Sequence, residues 1–136
     1  MDDVASTLRI SAAGMKTQGT RLRVIAENIA NADSLPTKPG DLPYRRQMTT
    51  FRNELDRAAG VDLVRVDLVV DDPTPFPRRY EPQHPAADAA GYVLESNVNA
   101  LIEMTDMREA ERSYEANLDV IRATKGMLQD TIEVLR

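Results

Sequence analysis

The side chains best suited to chemistry lie in the stretch YEPQHPAAD, where Glu81, His84 and Asp88 offer carboxylate and imidazole groups that can bind a metal ion. Their spacing matches no metal-ligand motif, and Pro82 and Pro85 restrict the backbone between them. His84 is the only histidine, and the chain has no cysteine. We therefore interpret the stretch as a structured loop, and the sequence predicts no catalytic residue, no metal site and no cofactor.

Two further patterns bear on binding and catalysis. The stretches PYRRQ and PRRYE each place two arginines beside a tyrosine, a combination that also occurs on nucleic-acid-binding surfaces. A formal net charge of −5 and a pI near 4.9 argue against general binding to phosphates. The preferred interpretation is two exposed loops that contact acidic protein surfaces. Because no glycine-rich phosphate loop, nucleophile elbow or Ser-His-Asp signature occurs, an enzyme is not expected.

Composition limits the size of the core and the cellular location. Aromatic residues make up only 4% of the chain and tryptophan is absent, so few of the large side chains that usually fill a core are present.

No run of about 18 apolar residues occurs, so no membrane insertion is expected. The start, MDDVASTLRI, lacks the basic and apolar regions of a Sec signal. This favours the cytoplasm, or export by a route that does not read such a signal.

The N-terminal part of the chain carries an apolar stripe at helical spacing. Leu8, Met15, Leu22 and Ile29 recur every seven residues. Ile25 lies three residues after Leu22 and so belongs to the same face of a helix. The pattern predicts a helix from about Asp3 to Asn31, which would be ~40 Å long. Either this stripe covers the core of its own domain or another chain covers it.

The C-terminal part carries a longer stripe with a 4–3 alternation. Its members are Met104, Met107, Tyr114, Leu118, Ile121, Leu128, Ile132 and Leu135. The pattern predicts a helix from about Val98 to Leu135, ~55 Å long, with Ser96, Asn97 or Asn99 as its cap. Sustained heptads with charged flanks indicate a coiled coil, so we expect the two helices to pair within one chain or between chains.

All 8 prolines lie between Pro36 and Pro85, which separates the two helical ends from a middle segment. Within it, VRVDLVV alternates as a half-buried strand does, and AGYVLESN offers a turn and a short strand. The predicted fold is mainly α. Two long terminal helices form a coiled-coil-like pair, and a small proline-rich middle segment contains short β-strands or a hairpin. The predicted domains are helical segments 1–32 and 97–136, which form one inner domain, and the middle segment 33–96.

Two parts of the chain resemble a known family. The stretch ENIANADS followed by YRRQ is similar to the N-terminal signature of flagellar axial proteins, the rod and hook family. The stretch from YEPQHP to TIEVL resembles the proximal rod type of that family. The residues that carry the resemblance include Asn28, Asn31, Tyr44, Arg45, His84, Pro85, Gly91, Tyr92, Asn97, Asn99, Glu103 and Asn117.

The resemblance implies a structural subunit of the flagellar basal-body rod, a torque-transmitting drive shaft that polymerises through its terminal helices. The implied partners are other rod proteins, copies of the chain itself, the flagellar type III export apparatus and the basal-body rings. The chain would reach the periplasm without a cleaved Sec signal, and neither nucleic acid nor a small-molecule substrate is expected. The alternative is a soluble coiled-coil adaptor or an export chaperone of the flagellar secretion system.

Asn28 and Asn31 are three residues apart, so their amides lie on one side of the predicted helix near its end. Each amide can donate and accept hydrogen bonds. We therefore hypothesise that the pair satisfies the open carbonyl groups of the last turn and bridges to a neighbouring subunit. The alternative interpretation is that Asn31 is only a C-cap.

Overall fold

The computed structural model describes residues 2–136 of the chain. Within these residues, two helices and four strands make up the fold. In chain order they are α1 (Asp2–Ala30), β1 (Gln47–Asp56), β2 (Val61–Asp71), β3 (Arg78–Tyr80), β4 (Tyr92–Leu94) and α2 (Ala100–Val134). The strands form two separate two-stranded sheets, β1 with β2 and β3 with β4.

The predicted fold is wrong for the middle of the chain, which was expected to be small and proline-rich with short strands, because two sheets lie there and one of them has long strands. The helices account for 47% of the chain, and β1 and β2 contain 10 and 11 residues. The prolines form two clusters, and the stretch 44–72 between them contains none. Both long strands lie in that stretch, where every residue keeps the N–H group that a strand pairing requires.

Helix α1 has suitable charges at its start and a side-chain cap at its end. Asp2 and Asp3 place carboxylates in the first turn, where the helix dipole favours negative charge. At the other end, the backbone N–H of Asn31 donates to the carbonyl oxygens of Glu27 and Asn28, each at 3.2 Å. The side-chain Nδ2 of Asn31 also donates to the carbonyl of Glu27, at 2.8 Å. Asn31 therefore caps the end of α1 through its side chain, and its contact with a neighbouring subunit stays a prediction.

Helix α2 is capped by Asn99, one of the three candidates from the sequence. Its Oδ1 accepts hydrogen bonds from the backbone N–H groups of Leu101 and Ile102, at 3.1 and 3.4 Å. Its carbonyl oxygen accepts from the N–H of Glu103 at 3.0 Å. These bonds satisfy donors that the first turn of a helix leaves open.

The turn between β1 and β2 is held by Asp56. Its Oδ1 accepts from the backbone N–H groups of Ala58 and Ala59, and its carbonyl accepts from Gly60 at 2.7 Å. Gly60 has a φ of +67°, which a residue without Cβ adopts readily. The second carboxylate oxygen accepts from Arg9 at 3.1 Å. The hydrogen bonds from Arg9 and then Ala58 lower the pKa of Asp56.

The chain groups into two compact units. The first contains the described residues through Leu22, then Thr49–Leu68 and Arg108–Arg136. The second contains Arg23–Met48 and Val69–Met107.

In the first unit, the α1 and α2 portions pack against each other in opposite directions. Near the start of α1, Val4 and Met127 line one groove. Further along, Gly14 lies against the side chain of Asn117. The core here is small and rich in small side chains, and its buried apolar residues are Ala13, Leu63 and Ala110.

Substitution of Gly14 tests this helix contact against a matched position on the same helix. A Cβ at Gly14 would lie 2.7 Å from Nδ2 of Asn117, whereas a Cβ at Gly19 would meet nothing within 4 Å. Gly19→Ala should therefore raise the free energy of unfolding by about 0.5–1 kcal/mol through helix propensity. Gly14→Ala should lose that gain, because Asn117 must move away from its hydrogen bond to Ser113.

Urea unfolding followed by circular dichroism measures both variants. The gain should return when Gly14→Ala is combined with Asn117→Ala, which removes the obstructing amide. Equal stabilisation by Gly14→Ala and Gly19→Ala would contradict the close approach.

Candidate functional site

The most deeply buried polar side chains of the second unit are Glu103 and Asn28, which are 0% and 1% exposed. The buried apolar residues of the same unit are Val24, Ile25, Ala86 and Val93. A carboxylate without water is strongly unfavourable unless it is paired and hydrogen-bonded. The contacts of Glu103 therefore define the site that the rest of this unit must build.

The amide of Asn28 uses its full hydrogen-bonding capacity inside the chain. Its Nδ2 donates to the carbonyl of Gln47 at 2.9 Å and to Oε2 of Glu103 at 3.3 Å. Its Oδ1 accepts from the hydroxyl of Tyr44 at 2.9 Å and from the N–H of Gln47 at 3.0 Å. An asparagine amide has two donors and two acceptor sites. The hypothesis that Asn28 bridges to a neighbouring subunit is therefore wrong, because no donor remains for it.

Arg46 supplies the positive charge at the centre of the network. Its Nε donates to Oε1 of Glu103, and its two terminal nitrogens lie 3.1 Å from Asp72 and 3.7 Å from Asp106. Burial by itself would lower the pKa of Arg46, but the hydrogen bonds and charges of Glu103 and Asp72 raise it overall. Sequence analysis missed Arg46, although it lies in the YRRQ stretch, and it also missed Asp72.

Asn97 and Arg45 hold the segment after β2 in place. Asn97 accepts from the backbone N–H of Arg46 at 2.6 Å through Oδ1. Its Nδ2 donates to the carbonyls of Asp72 and Thr74, at 3.2 and 3.0 Å, and Arg45 donates to the same two carbonyls. Hydrogen bonds from Thr74, and then the bond and charge of Arg46, lower the pKa of Asp72. Arg45 also stacks on the ring of Phe76, at 4.2 Å from its centroid.

Tyr44 reaches the network through its hydroxyl group. Burial, followed by the nearby charges of Glu27, Glu103 and Asp71, raises its pKa. The hydroxyl therefore stays protonated and continues to donate to Asn28. Together these residues join four separate parts of the chain, namely the end of α1, the segment before β1, the segment after β2 and the start of α2.

The hydrogen bonds and ion pairs of this network hold separate parts of the chain together. Among residues 2–136, no group of three potential ligands is placed to hold a metal ion. Nδ1 of His84 accepts from the N–H of Ala86 at 3.0 Å, and Asp88 accepts from the N–H groups of Ala90 and Tyr92. Two of the side chains considered as ligands thus serve loop turns.

The resemblance residues divide by location. Asn28, Tyr44, Arg45, Asn97 and Glu103 meet in the buried network. The others serve elsewhere: Asn31 and Asn99 cap helices, Asn117 faces Gly14, and His84, Pro85, Gly91 and Tyr92 lie in or beside the β3–β4 ribbon.

The predicted stripe residues differ in exposure. Ile25 is buried, and the half-buried members are Leu8, Met15, Leu22, Ile29, Met107, Tyr114, Leu118, Ile121 and Leu128. Met104, Ile132 and Leu135 are exposed. Their role as an interface between subunits stays a prediction.

Helix α2 presents further large apolar side chains to solvent, beyond the predicted stripe. They are Leu101, Ile102, Val120, Met127 and Val134. Side chains of this kind on one long helix are typical of a surface that other chains cover. A buried network that fixes the fold, together with a helix surface of this kind, is typical of a structural subunit.

Comparison with known proteins agrees with this class. Residues 8–34 match the family described as "Flagella basal body rod protein", and residues 89–134 match the family described as "Flagellar basal body rod FlgEFG protein C-terminal". A flagellar basal-body rod protein FlgC of Agrobacterium fabrum is 48% identical over 136 residues, 100% of this chain and 98% of the relative. The proteins of the same name from Yersinia enterocolitica and Bacillus subtilis are 38% and 33% identical, covering 90% and 94% of this chain and 91% and 95% of their own lengths.

The chain therefore belongs to the flagellar basal-body rod protein family. Membership confirms the predicted function as a structural subunit of the basal-body rod, and it confirms a structural protein rather than an enzyme. It also implies a place in the basal body and assembly with other rod proteins and with copies of the chain. Within residues 2–136, neither helix is both long and apolar enough to cross a membrane.

Proposed function

We propose that the chain is a subunit of the proximal part of the rod and that it polymerises through its terminal helices. The observation that carries the proposal is the exposed apolar surface of α2, where Leu101, Met127 and Val134 are 75%, 68% and 85% exposed. Burial of such side chains contributes about 1.5–3 kcal/mol each, so contact with other subunits would stabilise the assembly. Many helices packed side by side would also give the stiffness that torque transmission requires.

The proposal extends to the parts of the subunit and to its route. Segments 1–32 and 97–136 would form the inner part of the assembled rod, and segment 33–96 would contribute contacts outside it. The flagellar type III export apparatus would carry the chain to the periplasm without a cleaved Sec signal, where the basal-body rings surround the growing rod. A cysteine-free chain suits that oxidising compartment, because it has no thiol to form incorrect disulfides.

Electron microscopy of basal bodies from cells that lack this chain tests the proposal. We expect membrane rings without rod, hook or filament, and recovery of all three when the gene is restored. Intact flagella in the deletion strain would overturn the proposal. Intact rods together with a defect in export would instead favour a soluble adaptor or an export chaperone.

A further inference from the structure

The β3–β4 ribbon presents two tyrosines and an arginine to solvent in a fixed arrangement. Tyr80 and Tyr92 are directly opposite each other in the antiparallel register, and their rings meet edge to face with centroids 5.3 Å apart. The guanidinium carbon of Arg78 lies 5.2 Å from the centroid of the Tyr92 ring. We call Arg78, Tyr80 and Tyr92 the ribbon patch.

Gly91 holds the ribbon patch in shape. Its φ of +89° is unfavourable for any residue with a Cβ, and a Cβ there would lie 2.9 Å from Cε2 of Tyr80. The ring of Tyr80 therefore packs against the backbone of Gly91 while it stays 63% exposed. A surface that is ordered before binding loses little conformational entropy when a partner arrives.

The polar groups of the ribbon patch are free to meet a partner. Arg79 forms ion pairs with Glu81 and Glu95, whereas Arg78 forms none among the described residues. Within residues 2–136, the hydroxyl groups of Tyr80 and Tyr92 take part in no hydrogen bond. Arginine and tyrosine are among the side chains most enriched at the energetic centres of interfaces. The patch therefore suits a partner that offers negative charge beside apolar surface.

The last turn of α2 has those properties. Val134, the last residue of α2, and Leu135, directly after it, are 85% and 81% exposed. Asp130 and Glu133 outweigh the single Arg136 in this stretch, and the last turn of the helix contains no basic residue to offset the negative end of its dipole. An arginine from outside would satisfy this charge, and aromatic rings would cover the two apolar side chains.

Val134 and Leu135 are therefore open to contact with a second copy of the chain.

We propose that the ribbon patch of one copy binds the last turn of α2 of a second copy. Two chains that each carry a net charge of −5 repel one another, so their contact needs surfaces of opposite character. The contact joins two different surfaces, and contacts of this type propagate into open filaments when the rotation between copies does not close a ring. The proposal rests on the proposed function as a rod subunit and specifies one contact of that rod.

Disulfide cross-linking in cells tests the contact, since the chain has no cysteine of its own. The deletion strain is complemented with a variant that combines Tyr80→Cys and Leu135→Cys. We expect dimers and higher multimers on non-reducing gels. A control variant that combines Tyr80→Cys with Leu42→Cys should give none, because Leu42 is also exposed but lies in neither surface.

Charge reversal provides the second arm. Arg78→Glu and Glu133→Arg, each added to the cross-linking variant, should lower the yield of multimers at least about tenfold. Both reversals in one chain should restore the yield, because the charges again oppose each other. No multimers in the starting variant, or yields unaffected by reversal, would overturn the contact. The proposed function is tested separately by whether rods are absent from the deletion strain and return on complementation. If they do, a failed cross-linking test overturns only the contact and not the function.

Discussion

Replacement of Arg46 by methionine is expected to lower the free energy of unfolding by about 3–5 kcal/mol. Methionine keeps much of the apolar volume of the side chain but removes the charge. Glu103 would then remain 0% exposed with a hydrogen bond from Asn28 as its one remaining partner in the network. Asp72 would lose its arginine partner at the same time. An uncompensated buried carboxylate is among the most destabilising changes that a single substitution causes.

Urea unfolding of the purified chain, followed by the helical circular dichroism signal, measures this loss. Arg79→Met is the matched control, because Arg79 also contacts two carboxylates but its side chain is 45% exposed. The control should lose less than about 1 kcal/mol. Combining Arg46→Met with Glu103→Leu should recover much of the stability, since the fully buried carboxylate is removed together with its partner. A similar loss for Arg46→Met and Arg79→Met would contradict the central role of Arg46.

The ends of both helices follow closely from the sequence. The observed bounds of α1 and α2 lie within two residues of the predicted ones, because apolar periodicity, missing prolines and capping asparagines act locally. The β1–β2 hairpin was harder to foresee. Strand β1, QMTTFRNELD, has no clean alternation, and most of its residues are exposed. The local signal for the hairpin is the stretch 44–72, which contains no proline although proline clusters lie on both sides of it.

The buried network could be predicted only in part. Resemblance identified Asn28, Tyr44 and Glu103, but not that they meet one another. Arg46 and Glu103 are 57 residues apart in the chain, and no local pattern reports a contact at that distance. The sequence also does not distinguish Arg45 from Arg46, since both follow Tyr44. The fold makes that choice, because it directs Arg46 to Glu103 and Arg45 to the carbonyls of Asp72 and Thr74.

The second large effect is expected from Asn28→Asp, which changes one nitrogen to an oxygen without changing the shape of the side chain. The new oxygen would face the carbonyl of Gln47 and Oε2 of Glu103, where Nδ2 now donates at 2.9 and 3.3 Å. Two hydrogen bonds would be replaced by contacts between oxygens, and two carboxylates would share one dry site. We expect a loss of about 4 kcal/mol or more in the free energy of unfolding at pH 7. Asn31→Asp is the matched control and should lose about 1–2 kcal/mol, because Asn31 is half-buried and its Nδ2 donates to one carbonyl.

The pH dependence distinguishes charge repulsion from a general packing defect. Like-charge repulsion and burial would raise the pKa of the introduced carboxyl, so folding takes up a proton and the variant gains stability as the pH falls. The gain can reach about 1.4 kcal/mol per pH unit between pH 7 and 5.

The free energy of unfolding of the natural chain should be nearly independent of pH in this window. The pKa values of Asp56 and Asp72 are lowered, so their stabilisation is complete above the ordinary aspartate range and is lost only at lower pH. Urea midpoints at pH 7, 6 and 5 measure both curves. A flat curve for Asn28→Asp would mean that Asn28 fills space rather than orders the charges around it.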